Sequence, residues 1–222
     1  MPQSHPVMGV RGISPFLGGE ACCWWLASVE VVLSPLEVAG FITGLACVLL
    51  AARISVWNFA LGIANGVCFL VLFAQAQLYA NGGLQLVFIG LGISGWIGWL
   101  RGRRDDGSVS VRATPARAWL IGLPVTALVA GALYWLLIVR AASQQPVWDA
   151  ATTASSLLAQ VLLNRRWVGT WLVWIVTDVA LVGLYASVHL WLTAALYVVF
   201  AGVAIGGLAT WRRAMDRAVV MA

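Results

Sequence analysis

Long apolar segments separated by short polar stretches form the dominant pattern of this chain. Seven of them approach the roughly 20 residues that a helix needs to cross a hydrocarbon core about 30 Å thick. The pattern therefore predicts an all-α membrane protein with seven transmembrane helices. The predicted spans are residues 36–52, 55–78, 83–101, 117–140, 147–164, 167–188 and 190–212.

The composition of the chain agrees with this pattern. Of the 222 residues, 62% are hydrophobic and 9% are charged, and the mean hydropathy is +0.92. Such values exclude a soluble globular domain and a disordered chain. One further apolar stretch, residues 22–34, is too short to span, contains Glu30 and ends before Pro35. We expect it to lie at the membrane surface as an interfacial helix.

The fifth span differs from the others because it carries many polar side chains. They are Asp149, Thr152, Thr153, Ser155, Ser156, Gln160 and Asn164. Such residues are costly against lipid and favour close helix contacts or the lining of a wet cavity. The fifth span is therefore expected to face the protein interior.

Arginine is distributed unevenly between the two sides of the predicted bundle. The chain has thirteen Arg and no Lys, and eleven of these Arg fall on the side that carries the end of the seventh span. Only Arg11 and Arg140 fall on the other side. Because positive loops stay in the cytoplasm, we expect the N-terminus outside and the C-terminus inside. This distribution also accounts for the net charge of +5 without a nucleic-acid partner.

An internal repeat appears at an offset of 112 residues. Residues 78–101 align with residues 190–213, and the matches include less common residue types. These matches are Leu84/Leu196, Phe88/Phe200, Gly90/Gly202, Gly95/Gly207, Trp99/Trp211 and Arg101/Arg213. Spans one to three are then equivalent to spans five to seven, with span four as a connector. Both halves end in Arg on the same side, which predicts parallel repeats, an architecture found among transporters.

These observations divide the chain into five parts. Residues 1–35 form a tail with the interfacial helix, and residues 36–101 form the first three-helix repeat. Residues 102–146 contain a cytoplasmic linker and the connecting helix. Residues 147–213 form the second repeat, and residues 214–222 form a cytoplasmic tail.

The inventory of reactive side chains argues against an enzyme. The only histidines are His5 and His189, which cannot build a metal pair or a protease dyad. A retinal photoreceptor needs a lysine, and this chain has none. The cysteines show no metal-ligand spacing and are assigned to packing. We expect no cofactor and no metal. A channel is an alternative to a transporter that the inventory of reactive side chains does not exclude.

The strongest candidate site is the motif Trp171-x-x-Trp174-x-x-x-Asp178, which places two indoles and one acid on a single helix face, with Tyr185 two turns further. An ionised Asp at the bilayer centre costs roughly 2.5 to 3.5 kcal/mol, so it usually serves a function. The alternative is that Asp178 is protonated or bonded to a polar group of the fifth span. Interfacial anchoring is the competing interpretation of the tryptophans.

Further polar and aromatic residues lie in the spans that the repeat pairs with each other. Trp57 and Asn65 lie along span two, Gln85 lies in span three, and Tyr197 occupies the equivalent position in span seven. Amides in hydrocarbon must find partners, which neighbouring helices supply as well as a ligand would. Together the aromatic surfaces, the amides and the acid predict a binding pocket for a planar, cationic, hydroxyl-bearing small molecule.

Several segments of the chain resemble the PnuC family of vitamin transporters, over residues 36–213. The resembling segments are residues 49–53, 57–62, 78–85, 95–99, 171–178 and 190–197. Trp171 and Trp174 match the family's aromatic walls, and Gln85 and Tyr197 match residues that face the same cavity. The family position occupied here by Asp178 is commonly Asn.

This resemblance implies a fold and a function. The fold is a three-plus-one-plus-three arrangement like that of the SWEET sugar transporters, assembled as a homotrimer in the inner membrane. The function is facilitated diffusion of nicotinamide riboside, made directional by a cytosolic kinase that phosphorylates the vitamin. Transport of thiamine or riboflavin is the alternative, and a non-transporting membrane receptor is the competing class.

Overall fold

The protein is described by a computed structural model that covers residues 35–75, 79–103, 109–141, 145–187, 189 and 191–220. The predicted interfacial helix at residues 22–34 lies outside these residues. The described residues form seven α-helices and no β-strand beyond isolated bridges. The helices are α1 (Pro35–Ala52), α2 (Trp57–Gln75), α3 (Tyr79–Arg101), α4 (Ala116–Leu136), α5 (Pro146–Asn164), α6 (Gly169–Ser187) and α7 (Trp191–Val220).

Each predicted span coincides with one of these helices, but only part of the prediction of seven spans is supported. Five helices among the described residues, α2, α3, α4, α6 and α7, are long and apolar enough to cross a membrane. α1 contains the apolar stretch Ile42–Ala52 and is not one of these five. α5 falls short because its polar side chains lower its hydropathy. α4 continues into a π-helical turn at Leu137–Ala141.

Within each half of the chain, consecutive helices pack against each other. α1 packs on α2 and α2 on α3, while α5 packs on α6 and α6 on α7. α4 packs on α5. The two halves meet where α3 contacts α5 and where α1 contacts α7.

One end of the bundle is rich in arginine and is tied together by loop contacts. The segment before α4 pairs with the loop between α5 and α6, where the Arg112 N–H donates to Arg166 O (2.9 Å) and the Val168 N–H donates to Arg112 O (3.0 Å). The Arg166 guanidinium donates to Gly102 O at 2.9 Å. Burial, and then the nearby charge of Arg112, lower the pKa of Arg166. The described part of the linker is therefore bound to the loop between α5 and α6.

Two buried tryptophans join the halves at this arginine-rich end. Trp99 Nε1 donates to the carbonyl of Leu163 at 3.1 Å, and Trp211 Nε1 donates to the carbonyl of Ala51 at 3.0 Å. Both indoles are completely buried. The donors differ by 112 residues, and so do the acceptors. Each half therefore donates one tryptophan hydrogen bond to the equivalent backbone carbonyl of the other half.

Other contacts recur at the same offset although the residue types differ. Asn65 Nδ2 donates to Thr43 Oγ1 at 3.2 Å, and at the equivalent positions Thr177 Oγ1 bonds to Ser155 Oγ at 3.0 Å. The loops also agree, since Ile54 and Arg166 both have positive φ angles, 58° and 60°. A positive φ is unfavourable for a β-branched residue such as Ile54. Its recurrence at an equivalent position indicates that the loop geometry is required.

Candidate functional site

The predicted tryptophan and aspartate motif lines a small cavity between α1, α6 and α7, here named the Asp178 cavity. Its volume is about 160 Å³. The lining residues are Gly44, Val48, Trp171, Trp174, Asp178, Phe200 and Ala204. Asp178 is 5% exposed, and no described residue forms a hydrogen bond or salt bridge with its carboxyl group. The cavity therefore combines apolar walls with one acid that lacks a partner within the described chain.

Trp171 is held against α7 by a close approach that only glycine permits. A Cβ on Gly207 would lie 2.7 Å from three atoms of the Trp171 ring, well inside van der Waals contact. Trp171 is 1% exposed, and its Nε1 has no hydrogen-bond partner among the described residues. A buried donor without a partner is costly, which makes this indole N–H available to a ligand.

A second, larger cavity of about 370 Å³ adjoins the first and is named the amide cavity. The two share Gly44, Val48 and Trp174. The polar side chains that line it are Asn58, Asn65, Gln85, Ser156 and Gln160, with Cys47 beside them. Its aromatic walls are Phe59, Phe69, Phe73 and Phe88.

The two cavities occupy equivalent places in the two halves. Each residue that lines the Asp178 cavity has a counterpart 112 positions away that lines the amide cavity. Trp171 corresponds to Phe59, and Asp178 corresponds to Gly66. The equivalence is therefore one of position and not of chemistry, because the acid is present in one half only.

A chain of aromatic rings links the amide cavity, through Phe59, to the Asp178 cavity, through Trp171. Phe59 meets Trp99 edge-on with ring centroids 5.1 Å apart, and Trp171 meets Trp211 edge-on at 5.6 Å. Trp99 and Trp211 complete the chain at 5.9 Å. We name these four residues the aromatic chain. Edge-to-face pairs of this kind stabilise packing beyond the area that they bury.

The remaining predicted site residues are distributed as follows. Gln85 and Asn65 line the amide cavity, where Asn65 also donates to Gly40 O at 2.5 Å. Tyr185 and Tyr197 stack with centroids 5.4 Å apart and an interplanar angle of 10°. Trp57, Tyr185 and Tyr197 line neither of the two cavities, and Trp57 is 64% exposed. The Trp57 indole lies on the outer face of α2.

The residues that complete the Asp178 cavity carry no distinctive signal in the sequence. Gly44 and Val48 contribute from α1, and Phe200 and Ala204 contribute from α7. Small or apolar residues carry no chemical signal of their own. The repeat offered one indirect signal, since Phe200 is the counterpart of Phe88, and both line cavities. Among the described residues no cluster of His, Cys, Asp or Glu is placed to hold a metal ion.

The sequence of this chain matches a known protein family. Residues 34–213 match the family described as "Nicotinamide mononucleotide transporter". The chain belongs to this transporter family. The resemblance to PnuC transporters and the prediction of a transporter rather than an enzyme are therefore confirmed.

Individual relatives support the family assignment. The nicotinamide riboside transporter PnuC of Escherichia coli K12 is 29% identical over 206 residues, which cover 81% of this chain and 85% of that protein. The riboflavin/roseoflavin transporter RibM of Streptomyces davaonensis is 28% identical over 200 residues, covering 84% and 91%. The crystal structure of the vitamin B3 transporter PnuC aligns with a TM-score of 0.64 at 21% identity, covering 88% of this chain and 86% of that one. This family member therefore shares the fold of PnuC.

Proposed function

We propose that this chain takes up nicotinamide riboside by facilitated diffusion. The observation that carries the proposal is the unpartnered acid that lines the Asp178 cavity together with two indoles. Nicotinamide riboside has a permanent positive charge on a flat pyridinium ring. Indole faces attract such a ring through cation–π interaction, and a carboxylate supplies the opposite charge. The neighbouring amides are suited to the ribose hydroxyls.

The charge of the lining separates the candidate substrates. Neither cavity is lined by Arg, Lys or His. A nucleotide would bring a phosphate next to Asp178 without a cation to balance it, which is unfavourable. Riboflavin is uncharged at neutral pH and would leave Asp178 without a counter-charge. Thiamine carries a thiazolium cation and satisfies the same argument, so it is the second candidate.

The proposed architecture is two parallel three-helix repeats, residues 36–101 and 147–213, joined through α4 in a three-plus-one-plus-three arrangement like that of the SWEET transporters. The exchanged tryptophan bonds and the equivalent cavities support it. Residues 1–35 are the N-terminal tail, residues 102–146 contain the linker and connecting helix, and residues 214–222 are the C-terminal tail. All seven helices then span, with α5 shielded from lipid by its neighbours.

The arginine-rich end is proposed to face the cytoplasm, with the N-terminus outside, in the inner membrane. The aromatic chain then acts as the cytoplasmic gate, and opening it releases the vitamin inward. A cytosolic kinase that phosphorylates the vitamin would prevent its return. The homotrimer rests on the family resemblance.

Uptake by the purified protein in proteoliposomes tests this function. Labelled nicotinamide riboside should enter the vesicles and exchange with unlabelled substrate inside them. Thiamine should compete more strongly than riboflavin, and nicotinamide mononucleotide should not compete. Binding without counterflow would identify a receptor, and stronger competition by riboflavin would overturn the choice of substrate.

Replacing Trp174 by alanine is expected to lower substrate affinity about 30-fold, because a desolvated cation–π contact contributes roughly 2 kcal/mol. Trp57→Ala removes an indole of the same size from an exposed position and should leave affinity unchanged. Titration calorimetry with nicotinamide riboside measures both variants. Equal affinities for the two would show that Trp174 does not contact the substrate.

A further inference from the structure

A third cavity lies between α4 and α5 and reaches the arginine-rich end of the bundle. Its volume is about 430 Å³, and it shares no lining residue with the Asp178 cavity or the amide cavity. We name it the α4–α5 groove, and its walls run from Arg117 to Val129 on α4 and from Ala154 to Arg165 along α5. Because a helix rises about 1.5 Å per residue, the α4 wall is about 18 Å long. That length is roughly the depth of one leaflet, since the whole hydrocarbon core is about 30 Å thick.

The walls of the groove are apolar along most of this length. On α4 the lining residues include Ile121, Val125 and Val129, which recur at every fourth position and so share one helix face. Ile121 is 64% exposed and Val125 is 51% exposed, so the groove opens toward the bilayer. Away from the arginines and Trp167, Thr126 is the one lining residue with a polar side chain, and its hydroxyl donates to Gly122 O at 2.8 Å. The depth of the groove is therefore suited to hydrocarbon.

Positive charge is concentrated at the mouth of the groove. Arg117 lies in the first turn of α4 and Arg165 follows the last residue of α5, and both side chains are exposed. Within the described part of the chain neither guanidinium has a carboxylate partner, and no acidic residue lines the groove. The Arg165 guanidinium carbon lies 5.9 Å from the ring centroid of Trp167. Tryptophan is enriched at the level of lipid headgroups, so the mouth is placed where a headgroup lies.

The shape and charge of the groove together select its occupant. Apolar walls that end in two arginines are complementary to a molecule with a hydrocarbon chain and an anionic head. A free phosphate ion would leave the apolar walls uncovered, and a cationic vitamin would be repelled at the mouth. Basic pockets between transmembrane helices are typical sites for the headgroups of anionic lipids.

We propose that the α4–α5 groove binds one anionic phospholipid from the leaflet at the arginine-rich end. The lipid phosphate accepts hydrogen bonds from Arg117 and Arg165, and one acyl chain lies along the groove. Because the acyl chain contacts both walls, the bound lipid stabilises the packing of the connecting helix α4 on α5. The proposal does not depend on the identity of the transported vitamin, because the groove and the two vitamin cavities have no residue in common.

Native mass spectrometry and thermal unfolding of the delipidated protein test this site. We compare phosphatidylglycerol with phosphatidylcholine that has the same acyl chains, and with inorganic phosphate. Phosphatidylglycerol should bind about tenfold more tightly than phosphatidylcholine, whose headgroup has no net negative charge. It should also raise the unfolding temperature, because it binds the folded state. Equal binding of the two lipids, or equal stabilisation by inorganic phosphate, would overturn the proposal.

The double variant Arg117→Gln, Arg165→Gln removes the charge at the mouth. We expect it to bind phosphatidylglycerol about 30-fold more weakly and to lose the preference over phosphatidylcholine. The matched control is Arg212→Gln, Arg213→Gln, which removes two exposed charges from the same end outside the groove. The control should keep the lipid preference of the parent. Equal losses in the two double variants would show an effect of net charge alone, which contradicts a site in the groove.

Val125→Trp fills the apolar part of the groove without changing its charge. We expect weaker binding of both lipids, whereas Leu128→Trp, at a 73% exposed position of α4 outside the groove, should bind them like the parent. None of the substituted residues lines a vitamin cavity, so vitamin affinity should equal that of the parent. Native mass spectrometry also counts the copies in each assembly. If Val125→Trp changed that number and left lipid binding intact, the groove would be an interface between copies and the proposal would be wrong.

Discussion

Gly95→Ala is expected to prevent assembly of the folded protein, whereas Gly90→Ala, five residues away on the same helix, should be tolerated. A Cβ at Gly95 would overlap both the Asn164 amide and the Phe59 ring. Asn164 cannot easily move, because its Nδ2 donates to Leu91 O at 2.8 Å and its Oδ1 accepts from Gln160 at 3.1 Å. Overpacking of this kind typically costs about 1 to 3 kcal/mol, and loss of the amide network adds to it.

Gly207 and Gly202 are the counterparts of Gly95 and Gly90 in the second half of the chain. Substitutions at these two positions test substrate binding separately from folding. Gly207→Ala should displace the Trp171 ring while sparing the rest of the fold, since that ring is the group that the Cβ meets. We expect at least a tenfold loss of vitamin affinity. Gly202, like Gly90, has no atom within 4 Å of an added Cβ, so Gly202→Ala is its matched control.

Size-exclusion chromatography, thermal unfolding and ligand binding measure all four glycine variants. Alanine is the better helix former, so the two controls should melt at or slightly above the parent temperature. A Gly95→Ala protein that is monodisperse and as stable as the parent would contradict the packing described. If Gly207→Ala bound the vitamin with the affinity of the parent, Trp171 would not be part of the proposed binding site.

Trp99→Phe and Trp211→Phe are expected to open the arginine-rich end. Phenylalanine retains an aromatic ring but leaves the carbonyl of Leu163 or Ala51 buried without a donor. An unpaired buried group costs roughly 1 to 3 kcal/mol, which corresponds to a decrease of about 5- to 150-fold in the ratio of closed to open states. Because the two bonds are equivalent by position, we expect similar effects from the two variants and a larger effect from the double variant.

Labelling of a cysteine in the cavity measures this opening. Val48 lines both cavities, so Val48→Cys in a cysteine-free background reports access with a membrane-impermeant maleimide. The reagent should react faster in the phenylalanine variants when it is applied from the side of the α7 C-terminus. Trp135→Phe, at an exposed position on α4, is the control. Labelling that does not change, or that increases only from the opposite side, would exclude the aromatic chain as the cytoplasmic gate.

The helices were predictable from the sequence because apolar segments of this length have few alternatives in a membrane. Helix ends agree within a few residues, except that α7 continues to Val220, eight residues beyond the predicted end at 212. Composition does not reveal the membrane boundary in this helix, because helical propensity continues through its charged last turns. The polar side chains of α5 predict a low hydropathy, and α5 is not among the five described helices that are long and apolar enough to cross a membrane.

The site was predictable only where the residue type was distinctive. Trp171, Trp174 and Asp178 share one helix face, and the structure places them around one cavity. Trp57 and Trp171 are both tryptophans near the start of a helix, yet one is exposed and the other is buried. Periodicity gives the spacing along a face but not the direction in which that face points. The direction depends on contacts between α6 and α7, which a single sequence does not specify.

The tryptophan bonds at the arginine-rich end also bear on how the two halves tolerate mutation. Their acceptors are backbone carbonyls, which remain whatever side chain occupies positions 51 and 163. The two halves indeed differ there, with Ala51 in one and Leu163 in the other, while both donors are tryptophan. The side chains at positions 51 and 163 can therefore differ between the two halves while both hydrogen bonds are retained. These hydrogen bonds between the halves depend on the side chains of Trp99 and Trp211 alone. We therefore expect substitutions to be tolerated less well at these two positions than at positions 51 and 163.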